Sequence, residues 1–435
     1  MTILPRTPVR TLACALAGAA LALPSTGRAQ EAITLDEAVA RALVRSPAMA
    51  QQQQSVDNAY LTQKTSWAAF LPTLSASGGG SLRSSNVLND VTGVIESGSS
   101  DSYSAGLSGS WTVFEGGRRF YEYGAAQSDV RAAEARYANQ RYQVTLQTQT
   151  LFFNALRAAD LLEVARERAQ QAEQNMTIVR RRTQLGEATI SDSLRARLDV
   201  VNAQQAVLEG ETSLRAARFS LGRQIGQSGP VEPMRPSGLD PRPLSLSDEE
   251  IMTLAESASP SVVAASEATS AANAGVTAAK TAYFPSLRFS SGYNWNNQVA
   301  SLSGGNTSWS MSLNLSYPIF NGSRRETSID LAQYVQRVTS LVEDDARLAA
   351  REQADAALQN LRTAEQAIVI AEDAAFVASE DLRVVRERYG VGAATILDVL
   401  VSQNAVTQAE ADVVTTRYDY ILARAELEAI LGREM

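Results

Sequence analysis

The feature that most constrains this 435-residue chain is that it states one plan twice. Ser46-Pro47 returns as Ser259-Pro260, and Phe70-Leu71-Pro72-Thr73-Leu74 returns as Tyr283-Phe284-Pro285-Ser286-Leu287, both 213 residues on. Phe114-Glu115-Gly116-Gly117-Arg118-Arg119 returns as Phe320-Asn321-Gly322-Ser323-Arg324-Arg325, now 206 residues on. Ala188-Thr189-Ile190-Ser191-Asp192 returns as Ala394-Thr395-Ile396-Leu397-Asp398 at the same offset. Chance matches do not hold one register over about 75 residues, so the chain is a tandem duplication. The fall in offset places a longer excursion in the first copy, between Pro72 and Phe114. The halves are residues 30–228 and 246–435. The Pro-rich segment 229–245 joins them, and its prolines suit a semi-rigid spacer better than a helix or strand.

Within each half the hydrophobic period passes from helical to two and back. Thr34 is placed to cap a helix running toward Phe70, which Pro72 ends. Beyond it Leu74, Ala76, Gly78, Gly80 and Leu82 alternate with Ser75, Ser77, Gly79, Ser81 and Arg83. On the return, Tyr103, Ala105, Leu107, Trp111 and Val113 alternate with serines and Thr112. The second half repeats the pattern through Leu287, Phe289, Tyr293 and Trp295, then through Trp309, Met311, Leu313, Leu315 and Tyr317. Each half thus predicts one hairpin, at about 72–114 and 286–320, with strands of about 10 to 13 residues. A tilted strand crosses a bilayer in about 9 to 11.

A half-buried soluble hairpin would alternate in the same way. Three features favour a membrane barrel. The polar face is Ser, Thr, Asn and Gly with few charges, as a lumen wall would be. Aromatics gather toward strand ends, where an interfacial girdle belongs. Three of the four tryptophans lie in these strands.

After Gly116 and Gly322 an almost unbroken helical pattern runs to about Arg182 and Tyr389. Some 65 residues at 1.5 Å each give roughly 100 Å of helix, which calls for a coiled-coil partner. Leu361, Ala364, Ile368, Ala371, Ala375, Ala378, Leu382, Val385 and Tyr389 form its seam. The first copy matches with Ala155, Ala158, Leu162, Ala165, Ala169, Ala172, Met176, Val179 and Thr183. A Gly-containing turn and a shorter antiparallel helix follow. Four strands cannot close a barrel, and lipid does not tolerate an open strand edge, so the chain must oligomerise around an axis. Eight-stranded interiors fill with side chains, whereas these polar faces are small. A ring of at least three copies is preferred on physical grounds.

Composition narrows the chemistry. There is no histidine and one cysteine, so Ser-His and Cys-His nucleophiles, multi-Cys metal sites and intramolecular disulfides are excluded. Asp344-Asp345 and Glu372-Asp373 read as solvated helix faces. No cofactor, metal or catalytic residue is expected. The net charge of −8 argues against nucleic acid. Residues 1–29 read as a cleaved secretory signal: Arg6 and Arg10, an apolar Thr11–Leu23 core that contains Cys14, then Pro24 and Gly27-Arg28-Ala29. Its removal leaves 36 basic against 47 acidic residues. No apolar run approaches 18 residues, so an α-helical membrane protein is excluded.

Helix, Pro, hairpin, Phe-x-Gly-x-Arg, long helix, Gly turn and helix, given twice behind a signal peptide, resemble the TolC family of outer-membrane efflux and secretion ducts. The likeness covers about residues 30–435. It is most specific in Tyr389-Gly390-Val391-Gly392-Ala393-Ala394-Thr395-Ile396-Leu397-Asp398-Val399-Leu400 and in Leu427–Gly432. The resemblance implies an α+β membrane protein of the non-lipidated branch. Three copies would form a twelve-stranded outer-membrane β-barrel, continued as a coiled-coil periplasmic tunnel. It implies a passive duct in the outer membrane, extending into the periplasm. A periplasmic adaptor would join it to an RND-type or ABC-type inner-membrane pump, for drug efflux or type I protein secretion.

Matching positions imply a gate of polar links at Asp192, Tyr389 and Arg417, with Arg417 holding a carboxylate that the Tyr389 hydroxyl joins. Asp398 matches an aspartate ring at the constriction. Leu185, Gly186, Val391 and Gly392 fall at hairpin tips that would meet the adaptor. Two positions depart from the family: Ala394 stands where an arginine usually joins the gate, and Val401 where a second acidic ring usually lies. Ordinary surface pairing on a coiled coil, and helix-end stabilisation of Asp398, are the alternative readings of these residues. A stand-alone diffusion porin and a periplasmic coiled-coil scaffold are the alternative functions.

Overall fold

The computed structural model of the chain describes residues 32–89, 93–236, 244, 246–301, 303–433 and 435. The expected signal segment, and most of the Pro-rich joint, lie outside them. Each half holds two short helices, a hairpin, a helix of 67 residues and a shorter returning helix.

In the first half these are α1 (Leu35–Arg45), α2 (Pro47–Ala68), β2 (Thr73–Asn89), β3 (Val94–Glu115), α3 (Arg118–Gln184) and α4 (Ile190–Gln224). In the second they are α5 (Asp248–Ala258), α6 (Pro260–Lys280), β5 (Ser286–Asn297), β6 (Asn306–Ser316), α7 (Arg324–Gly390) and α8 (Ile396–Leu431). The single helix expected between Thr34 and Phe70 is two. Pro47 drives Ser46 out of the helical region, to ψ 122°, and the Ser46 hydroxyl then caps α2 by accepting from Met49 N–H. Ser259-Pro260 breaks the second half at the matching place.

The strands form one antiparallel sheet in the order β2-β3-β5-β6. The first hairpin is the longer excursion, with strands of 17 and 22 residues that exceed the expected length. The second has strands of 12 and 11. Pro318 cannot donate to a ladder, and β6 stops two residues before it. The equivalent strand β3 runs on to Glu115 past a bulge between Thr112 and Phe114. A left-handed pair then turns each chain into its long helix: Gly116-Gly117 in one half, and Gly322 with Ser323 (φ 60°) in the other.

The described start of the joint, residues 229–236, is held against the first half rather than standing off as a spacer. Glu232–Pro233 form β4, paired in parallel with β1 (Ala32–Ile33). Val231 is buried, and Arg235 pairs with Asp160 of α3. Asp160 also accepts the Tyr418 hydroxyl at 2.7 Å, and burial, followed by that carboxylate, pushes the phenol pKa up. A chain crossing this close to a core must pair its backbone groups, which is why even a proline-bearing segment becomes strand. The core here comprises Ile33, Ala38, Phe152, Phe153, Leu221 and Val231 among others. A second cluster, around Ile251, Leu358 and Leu427, serves the other half. A third lies at the far helix ends: Val179, Ala196, Leu382, Ile396 and Val399. Every seam residue named above is buried or half-buried.

Candidate functional site

Register puts one character on each face of the sheet. Leu107, Tyr293 and Trp309 align across three strands, as do Trp111, Phe289 and Leu313. On the opposite face Ser75, Ser108, Gly292 and Ser310 form a row, and Ser77, Gly106, Asn294 and Ser308 form the next. Serine hydroxyls bond across it, Thr73 to Ser110 and Ser75 to Ser108, each at 2.8 Å. Both faces are open to the surroundings, with Leu74, Trp309, Met311 and Leu315 exposed.

At the strand–helix junction Trp67, Phe114, Phe120, Tyr283, Phe284 and Phe320 are all exposed. They make a belt, stiffened by Trp111 Nε1 donating to Phe70 O at 3.0 Å and by Arg119 at 5.1 Å over the Phe70 ring. Tyr103, Tyr293, Trp295 and Trp309 form a second level. Leu287 to Trp295 spans about 27 Å of strand, or about 21 Å of height at a tilt of about 40°. That approaches the roughly 25 Å apolar band of an outer-membrane barrel. Among the described residues no helix is long and apolar enough to cross a membrane.

The sheet is one side of a longer edge. α2 packs on α3, α3 on α6 and α6 on α7, the same order as β2-β3-β5-β6. The chain therefore ends on one side in β2 with α2, and on the other in β6 with α7. α7 leaves an apolar stripe exposed there, Leu331, Tyr334, Val338, Leu341 and Leu348, while α2 exposes Tyr60, Leu61 and Trp67.

Sixty-seven residues below the junction are two near-identical tips. Gly186 and Gly392 both have φ 80°, and Glu187 N–H and Ala393 N–H close matching turns on Arg182 O and Arg388 O. Leu185 and Val391 project from these turns, 74% and 82% exposed. Asp192 and Asp398 are the acidic partners of capping boxes. Asp398 Oδ2 accepts from Thr395 N–H at 2.7 Å and from its hydroxyl at 2.8 Å; Asp192 does the same with Thr189. These bonds, chiefly the backbone one, hold the Asp398 pKa below the usual carboxylate value, with Arg388 nearby adding to the effect.

Tyr389 and Arg417 are not brought together within the chain. Arg417 does hold a carboxylate, Glu372 at 2.7 Å, but Glu372 lies 17 residues before Tyr389 in α7, about 26 Å away. The side chain at Tyr389 is instead Arg182. Its guanidinium lies 4.6 Å over the tyrosine ring and donates to Tyr389 O and Gly390 O, each at 2.9 Å. Arg182 thereby caps the carbonyl end of α7 from α3, joining the two tips. The Tyr389 hydroxyl has no partner among the described residues and is free for a neighbouring molecule.

The family model described as outer membrane efflux protein matches residues 38–227 and 251–433. The chain belongs to the outer membrane efflux protein family. Outer membrane protein TolC of Vibrio cholerae is 24% identical over 394 residues, covering 86% of this chain and 85% of that protein. Protein CyaE of Bordetella pertussis is 28% identical over 341 residues, covering 76% and 70%. A solved structure of CusC, described in terms of transmembrane channel formation, superposes with a TM-score of 0.81 over 92% of each chain at 21% identity.

The chain is thus an outer-membrane efflux protein that extends into the periplasm. One further group in this efflux protein escaped sequence reasoning. Arg168 meets Asp199 at 2.5 Å with the side chains 8% and 13% exposed, and also donates to Asn404 at 3.0 Å. Beside it the fully buried Gln403 bonds Asn175 at 2.5 Å and Gln171 at 2.9 Å. Polar groups buried in an alanine seam fix register, because a slipped alignment would leave them unpaired.

Proposed function

We propose that three copies close head to tail into a twelve-stranded barrel and a helical tunnel. This passive duct carries cargo from an inner-membrane pump, RND-type or ABC-type, through a periplasmic adaptor to the outside. The observation that carries the reading is the agreement of two open edges. β2 and β6 are unpaired on the outer side of a sheet whose apolar face suits lipid, where an open edge is not tolerated. The helices end on the same two sides, with apolar residues on α2 and α7 that a neighbouring copy would cover. Unlike edges meeting in this way generate a ring when the rotation closes. Three copies are chosen because the TolC family, which the chain resembles, assembles as trimers. A stand-alone porin has no use for roughly 100 Å of helix, and a periplasmic scaffold has none for a lipid-compatible face.

Within the duct, the tips at Leu185, Gly186, Val391 and Gly392 are assigned to adaptor contact. Asp192, Tyr389 and Arg417 are assigned to links that bias a closed state. Cargo is set by pump and adaptor, so the same duct serves drugs or proteins. A strain lacking this chain is expected to retain a lipophilic dye that its complemented parent expels. Equal retention would count against drug efflux and leave the protein-secretion arm.

Asp398 is assigned to the constriction. One of its oxygens serves the cap while Oδ1 has no partner among the described residues, so capping and a pore-facing charge are compatible. Asp398→Asn leaves Thr395 as the N-cap and keeps a side-chain oxygen that accepts from Thr395 N–H, but is expected to lose most of the block by hexaamminecobalt(III). The depressed pKa means the carboxylate stays ionised as pH falls through about 3.9, and its charge is lost only below the folded value. Block is therefore expected to persist to lower pH than an ordinary carboxylate would allow, and to fade only as the pH falls through the folded value. A block unchanged in the variant would remove Asp398 from the pore.

A further inference from the structure

The polar face of the sheet is uncharged for several rows and then is not. From Ser310 to Ser312 across to Ser75 and Ser108 it presents hydroxyls, amides and glycines. One row nearer the helices, Arg288 lies between Thr112 and Asn314 on the same face. Arg288 is exposed and has no hydrogen bond or ion pair among the described residues. Arg118, Arg119 and Arg325 of this junction are committed, whereas Arg324 lies in the helix rather than on the sheet face. Arg119 meets Glu115 at 3.1 Å and donates to Ala69 O and Val113 O, and Arg325 lies 4.2 Å over the Tyr283 ring beside Glu326. Glu115, the nearest acid along the face, is thereby already neutralised.

An unpaired cation amid serines is not needed for strand pairing, and on a lumen wall it faces the transported solute. We propose that Arg288, one from each copy, forms a cationic collar at the helical mouth of the barrel that binds carboxylate or phosphate groups of passing solutes. The collar rests on the duct reading above. Twelve strands spaced about 4.8 Å apart and tilted about 40° enclose a ring about 24 Å across. Guanidinium groups reaching inward from that wall come within one Debye length, about 8 Å at physiological salt, of the axis, so their fields add there. A guanidinium also offers the planar fork that oxyanions fit. The collar and Asp398 lie at opposite ends of roughly 100 Å of helix, so the duct presents opposite charges at its two narrow levels.

The test uses the purified protein in planar bilayers, with inositol hexakisphosphate added from the barrel side. Wild type is expected to be blocked, Arg288→Lys to retain the block, and Arg288→Gln to need about fivefold more of the polyanion. Arg288→Glu should transfer the block to hexaamminecobalt(III) added from that side. Normal conductance with equal block in wild type and Arg288→Gln would overturn the collar alone. Absence of any conductance step in wild type would overturn the duct reading and the collar with it.

Discussion

Replacing Arg182 by alanine is expected to raise single-channel conductance at least about twofold, and Arg182→Lys to fall between wild type and alanine. Arg182 makes three contacts from α3 to the end of α7: the Tyr389 ring and two carbonyls past the last helical bonds, of which Tyr389 O also accepts from Gly392 N–H at 3.1 Å. Charge-assisted bonds of this kind contribute about 1.5 kcal/mol each at the low end, and a cation over an exposed ring about 0.5–1 kcal/mol. With partial exposure a loss of about 2 kcal/mol per chain follows, more than tenfold in any equilibrium that separates the two tips. The Arg417–Glu372 pair is half-exposed on both sides and contributes no more than about 1 kcal/mol. Arg417→Ala should therefore add little alone, and its effect should appear on an Arg182→Ala or Tyr389→Phe background. Conductance of Arg182→Ala indistinguishable from wild type would mean that opening does not part the tips of one chain.

Gly222→Ala is expected to abolish the folded protein or lower its stability by more than about 4 kcal/mol, beyond the range of ordinary substitutions. Alanine normally stabilises a helix interior relative to glycine by roughly 0.5–1 kcal/mol. Here a Cβ on residue 222 would lie 2.1 Å from the carbonyl oxygen of Gly229. Backbone cannot rotate away as a side chain can. The chain after α4 folds back over this residue, with Gln227 N–H bonding Gly222 O at 2.7 Å. Relieving the clash moves residues 227–231, withdrawing Val231 from the core and breaking the pairing of Ile33 with Pro233. Thermal unfolding of purified protein, or the yield of folded protein in outer membranes, reads the effect. A midpoint within a few degrees of wild type would show that the return segment is loosely held.

The architecture was legible because its signals are long. A duplicated register, a seam sustained over nine positions and serine-faced strands each average over many residues. The seam from Leu361 to Tyr389 and the second hairpin stand where the pattern places them. What escaped are single-residue decisions. Arg180, Arg181 and Arg182 are equivalent in the sequence; only the phase of a 67-residue helix decides which one reaches α7. The 206-residue offset does not separate Arg180 from Arg182 either, since they map onto Arg386 and Arg388. Arg168 and Asp199 carry no pattern at all, since burial of an ion pair depends on a third helix supplying Asn404. At Pro233 the expectation of a spacer failed because tertiary packing overrode local preference. Asp192 and Asp398 were readable as helix-start residues from Thr-x-x-Asp, and the structure places both in capping boxes.

The central claim is that one chain is a third of a closed channel. Native mass spectrometry of the protein extracted from outer membranes tests it most directly. The account predicts a single dominant species of three chains that dissociates only with loss of structure. A stable folded monomer or dimer in the same detergent would leave β2 and β6 as open edges and would contradict it.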